Sequence, residues 1–449
     1  MFRKDTSQKE QTFFKLKTGG CFQSETGYLE SGHEDCLADF RFYRFSPGDC
    51  LECTSDRFEW QMPRYHEKIE ERLIYTYCYQ KEENWAGYTG NLETINWKRG
   101  NYRFEQSGWM RLAIKKADGT EMSEDDAREA QKAFSLLRAP EVYVEKPFYR
   151  EEIEQTIRTV QKKRAPETLT VALMSDSHFV INGGWDDTVF NLHKIHEKIK
   201  FDLLIHLGDL TDGMVPREIT EEYANGVIED LKGLGVPVYL TIGNHDSNYF
   251  NQNPEWMKAG EQSEFYLNRE KPWYHQDFRD QKLRCLFLFS FDHRETIRYG
   301  FPDEEVEWLE QILMDTPEDF CVLIFSHVPL LPEMHFWSDK IRNSDRLFSV
   351  LKNYVHSGGV ILAFIHGHNH ADQIYDAGEF PIVSIGCAKC EDFKDHKPKG
   401  AVTYDRKMGS VTQELWDVMM VNTQEKKIDF VRFGAGEDRS VQVKGRYFD

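Results

Sequence analysis

Hydrophobic positions along this chain change their spacing partway through. Over the first 110 residues they alternate with polar ones in short runs, Asp39-Phe-Arg-Phe-Tyr-Arg-Phe45 and Arg72-Leu-Ile-Tyr-Thr-Tyr-Cys-Tyr79 among them. Gly19-Gly20, Ser46-Pro-Gly48, Gly87 and Gly100-Asn101 separate the runs. Alternation bounded by turn residues is the signature of strands. Trp109-Met-Arg-Leu-Ala-Ile-Lys115, leading into Ala117-Asp-Gly119, adds a strand entering a tight turn. The pattern predicts an all-β sandwich over residues 1–122.

From 123 to 165 the chain is charged and helix-prone. Ser123 with Asp126 three positions on is a variant of the capping box, and the stretch from Glu151 to Lys163 predicts a helix that Pro166 stops. This segment reads as a connector. Residues 166–449 then repeat strand and helix. Strands are predicted at 168–175, 203–207, 236–242, 283–291, 321–325, 360–365 and 382–385. Helices are predicted at 186–199, with apolar Val189, Leu192, Ile195 and Ile199, and at 219–234, 304–313 and 345–355. After Gly400 only strand-like stretches follow, AVTYD, LWDVMMV and KIDFVRF. The expected fold class is α/β with added antiparallel strands, preceded by a smaller all-β domain. A chain begun near Ala165 is expected to fold without the sandwich.

Composition sets limits on function. The 449 residues exceed one ordinary domain, and 40% hydrophobic with 29% charged residues excludes wholesale disorder. Seventy-six acidic residues against 56 basic ones give a net charge of −20. Such a surface repels polyanions and argues against a protein that grips nucleic acid. No apolar run approaches the roughly 20 residues needed to span a bilayer. The stretch from Met1 to Lys17 lacks the apolar core of a signal peptide, so no membrane association and a cytoplasmic location are expected. Nine scattered cysteines do not form a disulfide framework. The pairs Cys50/Cys53 and Cys387/Cys390 lie too far apart for a zinc ribbon, and reduced thiols are expected.

Twenty-one of the first 110 residues are aromatic, an excess over the 14% of the whole chain. The N-terminal domain thus loosely resembles carbohydrate-binding β-sandwiches, with a glycan as candidate partner. The competing reading packs Trp60, Trp85, Trp97 and Trp109 into a core or an edge.

Of 16 histidines, 14 lie between His178 and His396. Asp176-Ser-His178, Gly208-Asp-Leu-Thr-Asp212, Gly243-Asn-His-Asp246, His327 and Gly367-His-Asn-His370 each follow a predicted strand. The carboxyl ends of strands in open α/β folds form one crevice, so these clusters are expected to face one space. Asp, His and Asn offer oxygen and nitrogen donors suited to Mn, Fe or Zn.

Taken in order, D-x-H, G-D-x-x-D, G-N-H-D, a lone His and G-H-x-H resemble the calcineurin-like metallophosphoesterase superfamily over residues 166–449. The resemblance implies a two-sheet α/β/β/α sandwich with a dinuclear metal centre. It also implies hydrolysis of a phosphomonoester or phosphodiester by a metal-activated hydroxide. Matched block by block, it implies Asp176, His178 and His370 on the first metal ion, Asp209 bridging, and Asn244, His327 and His368 on the second. His245 would assist the leaving group by supplying a proton, with Asp246 holding its ring. Asp212 stands where purple acid phosphatases carry a Tyr ligand, which disfavours that branch.

Around these residues, His206 and His366 read as packing or support for the ligands, and His193 and His196 as a solvated helix face. His335, Phe336 and Trp337 are candidates for substrate contact. Arg432 and Arg439 are read either as a phosphate clamp or as surface salt bridges. Two rival readings make different predictions. A carbohydrate-binding or structural protein with a secondary phosphodiesterase domain would bind glycans through residues 1–122 and show negligible esterase activity. A nuclease of the same superfamily would need a positive groove beside the site, which the net charge disfavours.

Overall fold

The computed structural model describes residues 11–443 except 26, 28, 67–75, 80–83, 88–91, 140–144, 180–182, 251–252 and 392–398. The chain divides into two compact units. The first takes residues 1–144 with 180–183 and 251–254, and the second takes the rest.

The second unit is built on two six-stranded sheets. In the first sheet the order is Val238–Leu240, Leu203–His206, Leu169–Met174, Leu415–Asn422, Lys427–Gly434, Arg439–Gln442. Its first three strands run parallel and the C-terminal three add antiparallel. The second sheet runs Tyr274–Phe278, Leu283–Phe287, Cys321–Ser326, Val360–His366, Pro381–Ser384, Gln373–Asp376.

Alternation along each strand assigns its two faces. Leu169, Val171 and Leu173 meet Leu283, Cys285, Phe287, Leu323 and Phe325 of the other sheet in one buried cluster. Ala172, Met174 and Leu204 point the opposite way, onto Val189, Leu192 and Ile195 of helix Trp185–Ile199 and Val227 and Leu231 of helix Arg217–Lys232. On the far side Val322, Ile324 and Phe364 pack against helices Asp303–Met314 and Ser344–His356. The layers are α/β/β/α, as the resemblance implies.

Three sequence-level readings need correction here. The helix Arg150–Lys163 is part of the second unit, with Ile153 and Val160, and Tyr149 just before it, buried in the cluster that holds Met174 and Trp416. Of the tail, AVTYD forms no strand and contributes only the isolated bridge from Val402 to Asp372. His193 and His196 are both half-buried rather than on a solvated face, His196 Nδ1 accepting the Phe201 N–H (3.1 Å) at the helix end.

The first unit is mostly strands. A five-stranded sheet orders Lys17–Phe22, Leu29–Phe45, Gly108–Lys116, Phe58–His66, Leu92–Lys98, and a four-stranded sheet orders Gln11–Phe13, Phe134–Leu137, Cys50–Cys53, Tyr102–Arg103. Helix Glu124–Ala133 packs Ala130 and Ala133 into the same core as Phe45, Trp60 and Leu112. The capping box forms as read, Ser123 Oγ accepting the Asp126 N–H (3.1 Å) and Asp126 Oδ2 accepting the Ser123 N–H (3.0 Å). Trp60, 1% exposed with Nε1 donating to the Gly100 carbonyl (2.8 Å), has no face to offer a sugar. Lys115 lies over the Trp97 ring and Arg44 over that of Trp109. The Trp85 side chain and the run from Arg72 to residue 75 lie outside the described residues, and Thr76–Tyr79 pairs with Asn84–Gly87. All cysteines among the described residues are free. Among those residues no helix is long and apolar enough to cross a membrane.

Candidate metal centre

Each predicted ligand leaves the carboxyl end of a strand of the second unit, and backbone bonds tie the loops together. Asp176 N–H donates to the Gly208 carbonyl (3.0 Å), His178 N–H to that of Asp209 (2.9 Å), and Gly367 N–H to that of His327 (3.1 Å). Two glycines of the motifs are steric necessities. A Cβ at Gly243 would collide with the Asp209 carboxylate, and one at Gly367 with Ser175 Oγ and the Asp176 carboxylate. Asp176, His178, Asp209, His368 and His370 all hold φ between 39° and 66°. Left-handed backbone at non-glycine residues costs on the order of 1–3 kcal/mol each and persists where the surroundings impose it, often at functional sites.

The side chains converge. Asp209 Oδ2 lies 3.6 Å from His178 Nε2 and 3.1 Å from His327 Nε2. On one side of it, His370 Nε2 is 3.2 Å from Asp176 Oδ1 and 3.1 Å from His178 Nε2. On the other, His327 Nε2 is 2.9 Å from Asn244 Oδ1 and 3.2 Å from His368 Nδ1. Donor atoms of Asp176, His178 and His370, and of Asp209, His327 and His368, form two groups each within 4.8 Å. The structure thus brings all seven predicted ligands together.

These residues fit two cations. His327 commits Nδ1–H to the Leu207 carbonyl (2.8 Å), and His178 places Nδ1 3.2 Å from the Asp212 carboxylate, so both aim an Nε2 lone pair inward. Asp176 Oδ1 is buried without a hydrogen-bond partner. The local field favours positive charge. Burial opposes charging His178, yet Asp176 and Asp212 lift it to about 10, and Asp209 and Asp176 lift His327 to about 9 against the same penalty. Burial would raise Asp209, but His327 and His245 hold it down to about 2.

His245 stands beside His178, ring centroids 4.5 Å apart, and its backbone N–H donates to Asp209 Oδ1 (2.7 Å). The expectation that Asp246 holds its ring is wrong. The ring Nδ1 donates to the Asp212 carbonyl (2.6 Å), and Phe250 stacks on its face at 3.6 Å. The Asp246 carboxylate turns inward and accepts the N–H groups of Asp209 (2.8 Å), Leu210 (2.9 Å) and Gly243 (2.8 Å). It fixes the loop carrying Asp209.

Two supporting residues, Glu391 and Lys389, carry no signal in the motifs. Glu391 Oε1 lies 2.6 Å from His370 Nδ1, and Lys389 Nζ lies 2.9 Å from Asp212 and 3.6 Å from Glu391. Both follow the strand Pro381–Ser384, so the strand-end rule that located the ligands would have pointed to them. His335 Nε2 lies 3.2 Å from His368 Nε2, and Trp337, 45% exposed, sets its ring 4.8 Å from that of His368. His206 meets Ser177 Oγ (3.0 Å) and accepts the Gly208 N–H (3.2 Å), a supporting role. Arg432 and Arg439 are neither phosphate clamp nor surface pairs. They make buried ion pairs with Asp417 (2.9 and 2.7 Å) and with Asp372 (2.9 Å each), bracing the strand end behind His370.

Residues 169–372 match the family model of the calcineurin-like phosphoesterases. No curated protein matches the chain. Solved structures to which the chain shows some likeness include a dimetal phosphatase from Danio rerio, with 14% identity, covering 61% of this chain and 98% of that one at a TM-score of 0.45. An inner-membrane-complex anchor of Plasmodium has 13% identity, with 62% and 90% covered at 0.40. The phosphopantetheinyl hydrolase of Mycobacterium tuberculosis has 13% identity, with 49% and 89% covered at 0.32.

Proposed function

With residues 169–372 belonging to the calcineurin-like phosphoesterases, we propose that this chain hydrolyses phosphomonoesters or phosphodiesters with two metal ions, Mn, Fe or Zn. The observation that carries this reading is the convergence of seven buried donors from five strand ends, five of them on left-handed backbone. Asp176, His178 and His370 would hold one ion and Asn244, His327 and His368 the other, with Asp209 between them. When bound, such a pair of cations supplies a nucleophile at neutral pH and neutralises phosphoryl charge.

The chain's own residues orient and protonate. Asp246, through three backbone N–H groups, keeps the Asp209 loop in place. Asp212 and Glu391 steady the rings of His178 and His370. His245 offers Nε2 to the leaving oxygen, since its Nδ1 is committed to the Asp212 carbonyl. Burial pushes the free His245 ring down to about 4. An anionic ester beside it works against that penalty and favours the imidazolium that a poor leaving group needs. Exposed Trp337 and half-buried Phe250 border the approach to these groups.

Elemental analysis after reconstitution tests the reading. Two ions per chain and hydrolysis of a chromogenic phosphate ester are expected, both lost or greatly weakened in Asp209→Asn. Absence of metal in the reconstituted wild type would overturn it.

A further inference from the structure

A second kind of metal donor set lies in the first unit. Cys21 on strand Lys17–Phe22 pairs directly with Glu30 on the neighbouring strand Leu29–Phe45. In an unbroken strand Glu30 and His33 would project from opposite faces. Here the pairing jumps: Thr18 sits opposite Leu37 while Gly19 sits opposite His33, leaving Glu34, Asp35 and Cys36 as extra residues on one side. Gly19 (φ 99°) and Gly32 (φ 84°) allow the irregularity, which side chains would resist. A second shift, with Gly19 opposite His33 but Gly20 opposite Ser31, leaves Gly32 as an extra residue and turns His33 back toward Glu30, placing His33 Nε2 3.5 Å from Glu30 Oε2. Donor atoms of Cys21, Glu30 and His33 all fall within 4.8 Å of one another. The Cys36 thiol is hydrogen-bonded to that of Cys21.

We propose that Cys21, Glu30, His33 and Cys36 form a tetrahedral zinc site that clamps this bulged pair of strands. Two thiolates, an imidazole and a carboxylate are donors that zinc accepts, and thiolates exclude Mg, Ca and Mn. Donors about 2.0–2.3 Å from a tetrahedral zinc lie about 3.3–3.8 Å apart, a spacing that Cys21, Glu30 and His33 approach, their donor atoms lying within 4.8 Å of one another, while Cys36 beside Cys21 would complete the set. Cys36 is buried and Cys21 half-buried. Four protein donors leave no open position, which makes the site structural.

The test uses the full chain under reducing conditions, stripped with a chelator and reloaded with zinc or cobalt(II). One zinc per chain is expected in the first unit, beyond any ions at Asp209. The cobalt form should show a thiolate-to-metal charge-transfer band in the near ultraviolet that depends on Cys21 and Cys36; none of the seven ligands around Asp209 is a cysteine, although the Cys387 thiol lies near His370 and Glu391. The band should persist in Asp209→Asn and vanish in Cys21→Ser and in Cys36→Ser, both of which keep the wild-type rate on a phosphate ester. His33→Gln, at a half-buried position, should lower the zinc content by one even if a cysteine variant folds poorly. A band surviving in both cysteine variants, zinc content unchanged in His33→Gln, or mass spectrometry finding Cys21 joined to Cys36 as a disulfide under these conditions would overturn the proposal.

Discussion

Asp212→Asn separates the two halves of the candidate centre. The Asp212 carboxylate lies 3.2 Å from His178 Nδ1 and 2.9 Å from Lys389 Nζ. The amide would lose the charged partner of His178 and leave the Lys389 ammonium with one carboxylate fewer beside a position meant for a cation. Both effects weaken metal binding on the Asp176/His178/His370 side. Removing the carboxylate behind a ligating imidazole typically costs 10–100-fold in affinity, or about 1.4–2.7 kcal/mol. The other side should be spared, because His327 leans on the backbone carbonyl of Leu207 rather than on a carboxylate. Calorimetric titration of the apo-protein with zinc or manganese should resolve two steps, of which only one weakens. Adding Lys389→Met to Asp212→Asn should recover part of the loss by removing a positive charge beside the cation position. If neither step shifts, or both shift equally, the division of ligands argued above is wrong.

His245→Ala should slow hydrolysis of an alkyl phosphate ester by roughly 10²–10⁴-fold and that of a nitrophenyl ester much less; equal losses with metals intact would leave His245 only an orienting role. Glu414 is buried against Tyr149 OH and Thr188 Oγ1 (2.9 Å each), and burial with the nearby Asp187 raises its carboxyl from 4.5 to about 7. The unfolded chain therefore releases this proton first, so stability is full below about pH 4.5 and falls by about 3 kcal/mol as pH rises through 7. Denaturant titrations of Glu414→Gln should show that slope removed, and an unchanged pH profile would refute the assignment. A chain begun at Ala165 loses buried Tyr149, Ile153 and Val160, worth about 1.5–3 kcal/mol apiece, so it should melt well below one begun at Glu145; equal melting temperatures would count against packing of the helix Arg150–Lys163 into the second unit.

Much of the second unit is legible in the order of residues alone. Apolar positions at 189, 192, 195 and 199 fall on the helix Trp185–Ile199, and the apolar runs near 169, 321 and 360 are strands within a residue or two of their predicted ends. Periodicity is a local property, and it survives burial because helix and strand each repeat their backbone geometry. The ligand motifs are legible for a related reason: donor types follow directly on strand ends, and parallel strands deliver those ends to one edge. Partners distant in the chain were not legible. Whether Asp246 meets the ring of its neighbour His245 or the backbone of Asp209, 37 residues earlier, depends on how two loops pack. Arg432 looked like a surface residue until strand Lys427–Gly434 carried it inward to Asp417 and Asp372. The spacing from Cys21 to Cys36 means nothing until a bulge shifts the register of one strand pair. The sequence by itself determined which elements form and which donors stand at their ends. Only the tertiary structure decided which of them meet, because burial charges a penalty for every unpaired polar group and that penalty is settled by neighbours far apart in the chain.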